Sequence, residues 1–140
     1  ILNSPPPVVK EEILEEEIRA LKQDNNFYDS IDLAFQDNST AFDNRLLYTK
    51  LHQSFDAKHL VVVGHAHNEQ DVEVLSIKRA YAVSNMLNHY GISYDDMSIT
   101  SAWSHDLDHD QLQGVRIFSL DRKLDASSQS TDLLLRLATL

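Results

Sequence analysis

Residues 60 to 92 hold the clearest pattern of apolar and polar positions in the chain. Leu60-Val61-Val62-Val63 is a continuous, mostly β-branched run that stops at Gly64. Such a run predicts a central strand covered on both faces. A polar turn follows, and from Leu75 the apolar positions recur with a helical period. At about 100° per residue from Leu75, Val83, Met86 and Tyr90 fall within about 80°, and Ala82 lies just on the other side. Gly91 is suited to cap the end of this helix. Arg79 falls at roughly 40°, near the middle of the apolar stripe. A guanidinium keeps its proton, so on a core-facing stripe it needs partners. It is either half of a buried ion pair or a ligand anchor.

The flanking segments extend the pattern. Ile31, Leu33 and Phe35 alternate within Ser30 to Phe35 and predict a first strand. Asp37-Asn38-Ser39-Thr40 is turn chemistry. Leu47, Tyr48, Leu51 and Phe55 have helical spacing and predict a helix from about Asp43 to Phe55. Met97 to Ala102 and Val115 to Leu120 read as two more strands. Upstream, Ile1 to Pro7 reads as an extended linker and Val8 to Lys22 as a helix with a narrow seam of Leu14, Ile18 and Leu21. Downstream, Ser127 to Thr131 is a polar spacer and Asp132 to Leu140 reads as a short helix of leucines. The order β-α-β-α-β-β predicts an α/β fold, a two-layer sandwich with an extra N-terminal helix. The expected division is linker and helix over 1–26, the sandwich over 27–122, and a C-terminal tail over 123–140.

Charge narrows the partners. Twelve basic against 22 acidic residues give a net charge of −10. That argues against nucleic acid and anionic membrane surfaces, since no basic stripe offsets it. No apolar run approaches the ~20 residues that cross a bilayer. With no cysteine, disulfides and thiolate metal sites are excluded.

The strand ending Gly64-His65, then Leu75-Ser76-x-x-Arg79-Ala80 on a helix, then Gly91-Ile92, resembles the OmpA C-terminal-like, peptidoglycan-binding domain family. That family includes the peptidoglycan-associated lipoprotein and the flagellar stator proteins. The likeness covers residues 27 to 120 and implies the same two-layer fold. In the family, the arginine of this helix and an aspartate ending Gly-His-Thr-Asp hold the diaminopimelate group of the peptidoglycan stem peptide. The arginine carries over to Arg79, while the aspartate's position is His67. A further Asn-Arg-Arg motif would fall on Leu112-Gln113-Gly114 and is absent. The resemblance thus implies a kept scaffold with a rewritten pocket. Arg79 is then a peptidoglycan anchor or its vestige, its head group hydrated in an open pocket, with His67 beside it. It also implies a periplasmic, outer-membrane-associated domain of a Gram-negative envelope protein. Its partners would be other envelope proteins of a secretion, pilus or flagellar assembly. The alternative is genuine non-covalent peptidoglycan binding that anchors an outer-membrane component to the wall.

Histidines supply the remaining candidate chemistry. His65 and His67 share one face if the strand stays extended past Gly64. His105 and His109 are four apart among Asp106, Asp108 and Asp110. Imidazole with carboxylate suits zinc or nickel, and a site drawing on His67, His105 and His109 is one reading of these loops. A solvated polar loop is the other. No further cofactor is expected. No nucleophile set, phosphate loop or Gly-x-Ser-x-Gly is present, so an enzyme is not expected.

Overall fold

The computed structural model describes residues 29–51, 57–106, 111–120, 122–124 and 128–138. The linker and helix read at 1–26, the end of the helix read to Phe55, and His109 lie outside the described residues. Among the described residues, four strands and three helices follow in chain order. They are β1 (Asp29–Ala34), α1 (Asn44–Leu51), β2 (His59–His67), α2 (Val72–His89), β3 (Met97–Ser104), β4 (Gly114–Leu120) and α3 (Ser128–Ala138). A 3-10 turn, Tyr94–Asp96, leads into β3. The β-α-β-α-β-β order is as expected.

The sheet runs β1-β4-β2-β3. β4 pairs antiparallel with both β1 and β2, and β2 pairs parallel with β3. All nine residues of β2 are buried, as its continuous apolar run predicts for a strand covered on both faces. One face of the sheet packs on α1 and α2, where Leu33, Leu47, Leu60, Val62, Val83, Leu87 and Ile117 meet. Each such side chain contributes roughly 1.5–3 kcal/mol when fully buried. The other face carries Val61, Val63, Phe118 and Leu120, and α3 covers them with Leu133, Leu137 and Ala138. The C-terminal segment read as a tail is therefore, over α3, part of the core. Its leucines follow a helical period and have a matching apolar strip on the sheet to bury.

Local choices agree with these elements. The Asp43 carboxylate accepts from the backbone N–H groups of Arg45 and Leu46, 2.9 and 3.2 Å, and caps α1. Asn38, Asn68 and Asp71 take positive φ in the two loops beside α2. These are residue types that tolerate the left-handed region.

β2 continues three residues beyond the predicted stop at Gly64. The reason is close approach to α2 rather than chain reversal. A Cβ at Gly64 would overlap the Ser76 carbonyl oxygen and lie 2.9 Å from the Ala80 nitrogen. Ser76 and Ala80 are one helical turn apart and fully buried, so the small residues of Leu75-Ser76-x-x-Arg79-Ala80 are what lets α2 sit down on the strand. Gly64→Ala should cost about 1–3 kcal/mol, since backbone must shift. The urea midpoint measures this, and an unchanged midpoint would show that α2 is not seated on Gly64.

Candidate functional site

Arg79 is completely buried, on the α2 face that meets the ends of β1 and β2. All five of its N–H donors are used within the chain. Nε donates to Ser39 O at 2.9 Å. Nη1 donates to His65 O at 2.8 Å and to Glu69 Oε2 at 2.6 Å. Nη2 donates to Gln36 O at 3.1 Å and to Glu69 Oε1 at 2.7 Å. The Glu69 side chain is 3% exposed, so this is a buried, two-pronged ion pair. The Phe35 ring centroid lies 5.4 Å from the guanidinium carbon and adds a cation–π contact.

Glu69 also accepts from the Asn38 N–H at 2.9 Å, and Asn38 Oδ1 accepts from the Gln70 N–H at 2.9 Å. The β1–α1 loop, the end of β2 and the β2–α2 turn are thereby tied to one guanidinium. Burial raises the Glu69 pKa, but hydrogen bonds from Arg79 and Asn38 and the adjacent positive charge outweigh it. The carboxyl is held below its ordinary value and stays ionised. An open pocket with a hydrated Arg79 is therefore not what the fold contains. The sequence reading passed over Glu69. The signal available was an acid in the turn just before the helix whose stripe carries an unexplained arginine.

His65 and His67 share one face, as the extended strand predicts, but that face is opposite Arg79 and beside α3. His65 Nδ1 and His67 Nε2 are 3.1 Å apart, and His67 Nδ1 lies 2.9 Å from Ser104 Oγ. Ser104 has one hydroxyl hydrogen and gives it to Asp106 O at 2.8 Å. It must then accept from His67 Nδ1–H, so the network assigns the tautomers. His67 Nε2 accepts from His65 Nδ1–H, which leaves the buried His65 Nε2 as an acceptor with no partner. This assignment takes both rings as neutral, the form their burial favours. Burial pushes the His65 pKa down to about 4, helped by His67 and Arg116 against Asp32. Burial also lowers His67, with Arg79 opposing its charge and Glu69 favouring it. His67 therefore has its two ring nitrogens engaged within the chain, by His65 and Ser104.

Gln113 stands where the Asn-Arg-Arg motif would fall. Its side-chain amide donates to His67 O and accepts from the His67 N–H, closing the end of β2 as a strand would. A cleft of about 470 Å³ opens on this face, lined by His65, His67, Ser104, Arg116, Leu135 and Ala138. Arg116 is held there by Asp32, at 2.7 and 3.0 Å.

Of the histidines in the metal reading, His67 and His105 lie among the described residues and are not brought together there. His105 is exposed and makes a ring contact with Trp103, centroids 5.6 Å apart, while His67 turns to His65 and Ser104. No group of three metal-ligating side chains is present among the described residues, and His109 lies outside them. Trp103 sits within β3, which runs two residues past the strand read to Ala102, and is 43% exposed.

The chain matches no family model and no curated protein. Among solved structures it is similar to the OmpA-like domain of FopA1 from Francisella tularensis subsp. tularensis SCHU S4. The identity is 16% over 70% of this chain and 77% of that one, with a TM-score of 0.48. It is also similar to the C-terminal domain of Helicobacter pylori MotB, at 17% identity over 78% of this chain and 95% of that one, with a TM-score of 0.46.

Proposed function

We propose that this chain is a non-enzymatic OmpA-like domain of a Gram-negative envelope protein, periplasmic and associated with the outer membrane, whose ligand site has been closed from within. It acts as a protein–protein interaction module of an envelope assembly. The observation that carries this reading is the buried pair of Arg79 and Glu69, 2.6 and 2.7 Å. The resemblance gives this arginine the task of gripping the stem-peptide group. Here Glu69 supplies the carboxylate, and carbonyl oxygens take the remaining donors. A stem peptide would have to displace an ion pair already formed without the entropy cost of association. The aspartate's position holds His67, a neutral ring that offers no charge to a cationic amine.

The test is co-sedimentation of the purified domain with diaminopimelate-type sacculi. Loss of a charged, hydrogen-bonded contact costs about 2–5 kcal/mol, or about 30- to several-thousand-fold in affinity. The domain should therefore stay in the supernatant at concentrations where an intact OmpA-like domain pellets. Pelleting as tight as that control would restore the wall-anchoring reading.

A further inference from the structure

The two edges of the sheet are not alike. β1 carries Asp32, paired with Arg116 of the neighbouring strand. Charges of this kind are how sheets blunt an edge against further pairing. β3, Met-Ser-Ile-Thr-Ser-Ala-Trp-Ser, has no charge, proline or glycine. Its pairing with β2 is unbroken from Leu60–Met97 to His67–Ser104, so no bulge twists it away. Its inner edge is extended by the Asn68 N–H donating to Ser104 O. Among the described residues nothing hydrogen-bonds to its outer edge.

That edge has an aromatic wall. Val74, Lys78, Tyr81 and Asn85 form one stripe on α2 by their helical spacing. The Tyr94 hydroxyl, just before β3, donates to Asn85 Oδ1 at 2.6 Å, which sets this stripe along the strand. Val74, Tyr81, Tyr94 and Trp103 are each 43–51% exposed. An open backbone edge beside exposed aromatic side chains is the geometry of strand addition, in which main-chain bonds supply affinity and side chains supply selectivity.

Charge selects the occupant. Asp95 and Asp96 precede the strand and Asp106 follows it; among the described residues Asp96 is paired with Lys123 at 3.5 Å. Two-fold self-pairing would be antiparallel and would set Asp95 and Asp96 of one copy beside Asp106 of the other, between chains of net charge −10. A segment with basic ends meets the opposite field.

We propose that the outer edge of β3 receives an extended partner segment flanked by lysine or arginine, added as a fifth strand under the Tyr81–Trp103 wall. This rests on reading the domain as an interaction module, and it names the surface and the partner's chemistry. The probe is a synthetic peptide of alternating threonine and valine with two lysines at each end. Hydrogen exchange of the whole chain should slow in Met97–Ser104 when it is added. The same core flanked by glutamates should bind about tenfold or more weakly, as should the lysine peptide to a Trp103→Lys variant, which places a like charge on the edge. If that variant does not fold, the two peptides still decide the matter. Equal binding of both peptides, or protection elsewhere, overturns the proposal. Protection of β3 that rises with protein concentration alone overturns it in favour of a second copy. Sacculus binding is measured in parallel. A chain that takes the peptide and also pellets with sacculi keeps this surface and loses the module's closed site. One that does neither keeps the closed site and loses this surface.

Discussion

Arg79→Leu should destabilise the domain by about 3–5 kcal/mol, the usual cost of breaking a buried ion pair by removing one partner. Glu69 would remain, 3% exposed, with a charge and no cation. The carbonyl oxygens of Gln36, Ser39 and His65 would lose their donor, the last of them at a buried contact. Leucine suits the apolar stripe of α2, so helical periodicity alone predicts a neutral or stabilising change. The structure reverses that sign. Urea denaturation of wild type and variant gives the difference, with the slope checked for two-state behaviour. Replacing both Arg79 and Glu69 by leucine should recover part of the loss, because no charge is then stranded. An unchanged midpoint for Arg79→Leu would mean that the pair is open in solution and the site free for a ligand.

Mild acid should weaken the fold through His65. Its folded pKa is about 4 against the ordinary 6.5. The unfolded chain therefore binds a proton in this window that the folded chain refuses. Stability from the neutral ring is complete above about pH 6.5 and is lost as pH falls toward 4, at up to about 1.4 kcal/mol per pH unit and about 3 kcal/mol in all. His59 and His67 shift in the same direction, also through burial, and steepen the slope. Glu69, held low, adds a loss only below the ordinary carboxylate range. Urea midpoints of wild type and His65→Leu from pH 7.5 to 4 isolate the His65 part. The wild-type decline should exceed the variant's by about 3 kcal/mol. Parallel declines would show that His65 titrates normally and is not enclosed.

What the sequence determined by itself is local. The valine run from Leu60 to Val63, short, β-branched and closed by Gly64, reads as a strand covered on both faces, and the stripe from Leu75 to Tyr90 reads as an amphipathic helix, because period and branching act over a few residues. Arg79 was legible as an anomaly for the same reason: its angle on the stripe needs no partner to compute. Its meaning was not legible. Its acceptors stand 10 to 43 residues away in the chain, in three different segments. Only the folded sheet brings Gln36, His65 and Glu69 to one point. The family resemblance supplied a role for the arginine but no knowledge of what would occupy it. Gly64 illustrates the same limit. A glycine after a strand reads as a stop, yet this one is a clearance for α2, and β2 runs on to His67. The leucines after Asp132 announced a helix. That it covers Val61, Val63 and Phe118 was settled by which face of the sheet α1 and α2 had left bare. Likewise His67 and His105 are alike in type, but His67 ends β2 and meets His65 and Ser104, while His105 follows β3 and meets Trp103. Local pattern decides what each segment is. Burial and pairing across the sheet decide which charged and polar groups meet, because an unpaired one costs too much to leave in the core.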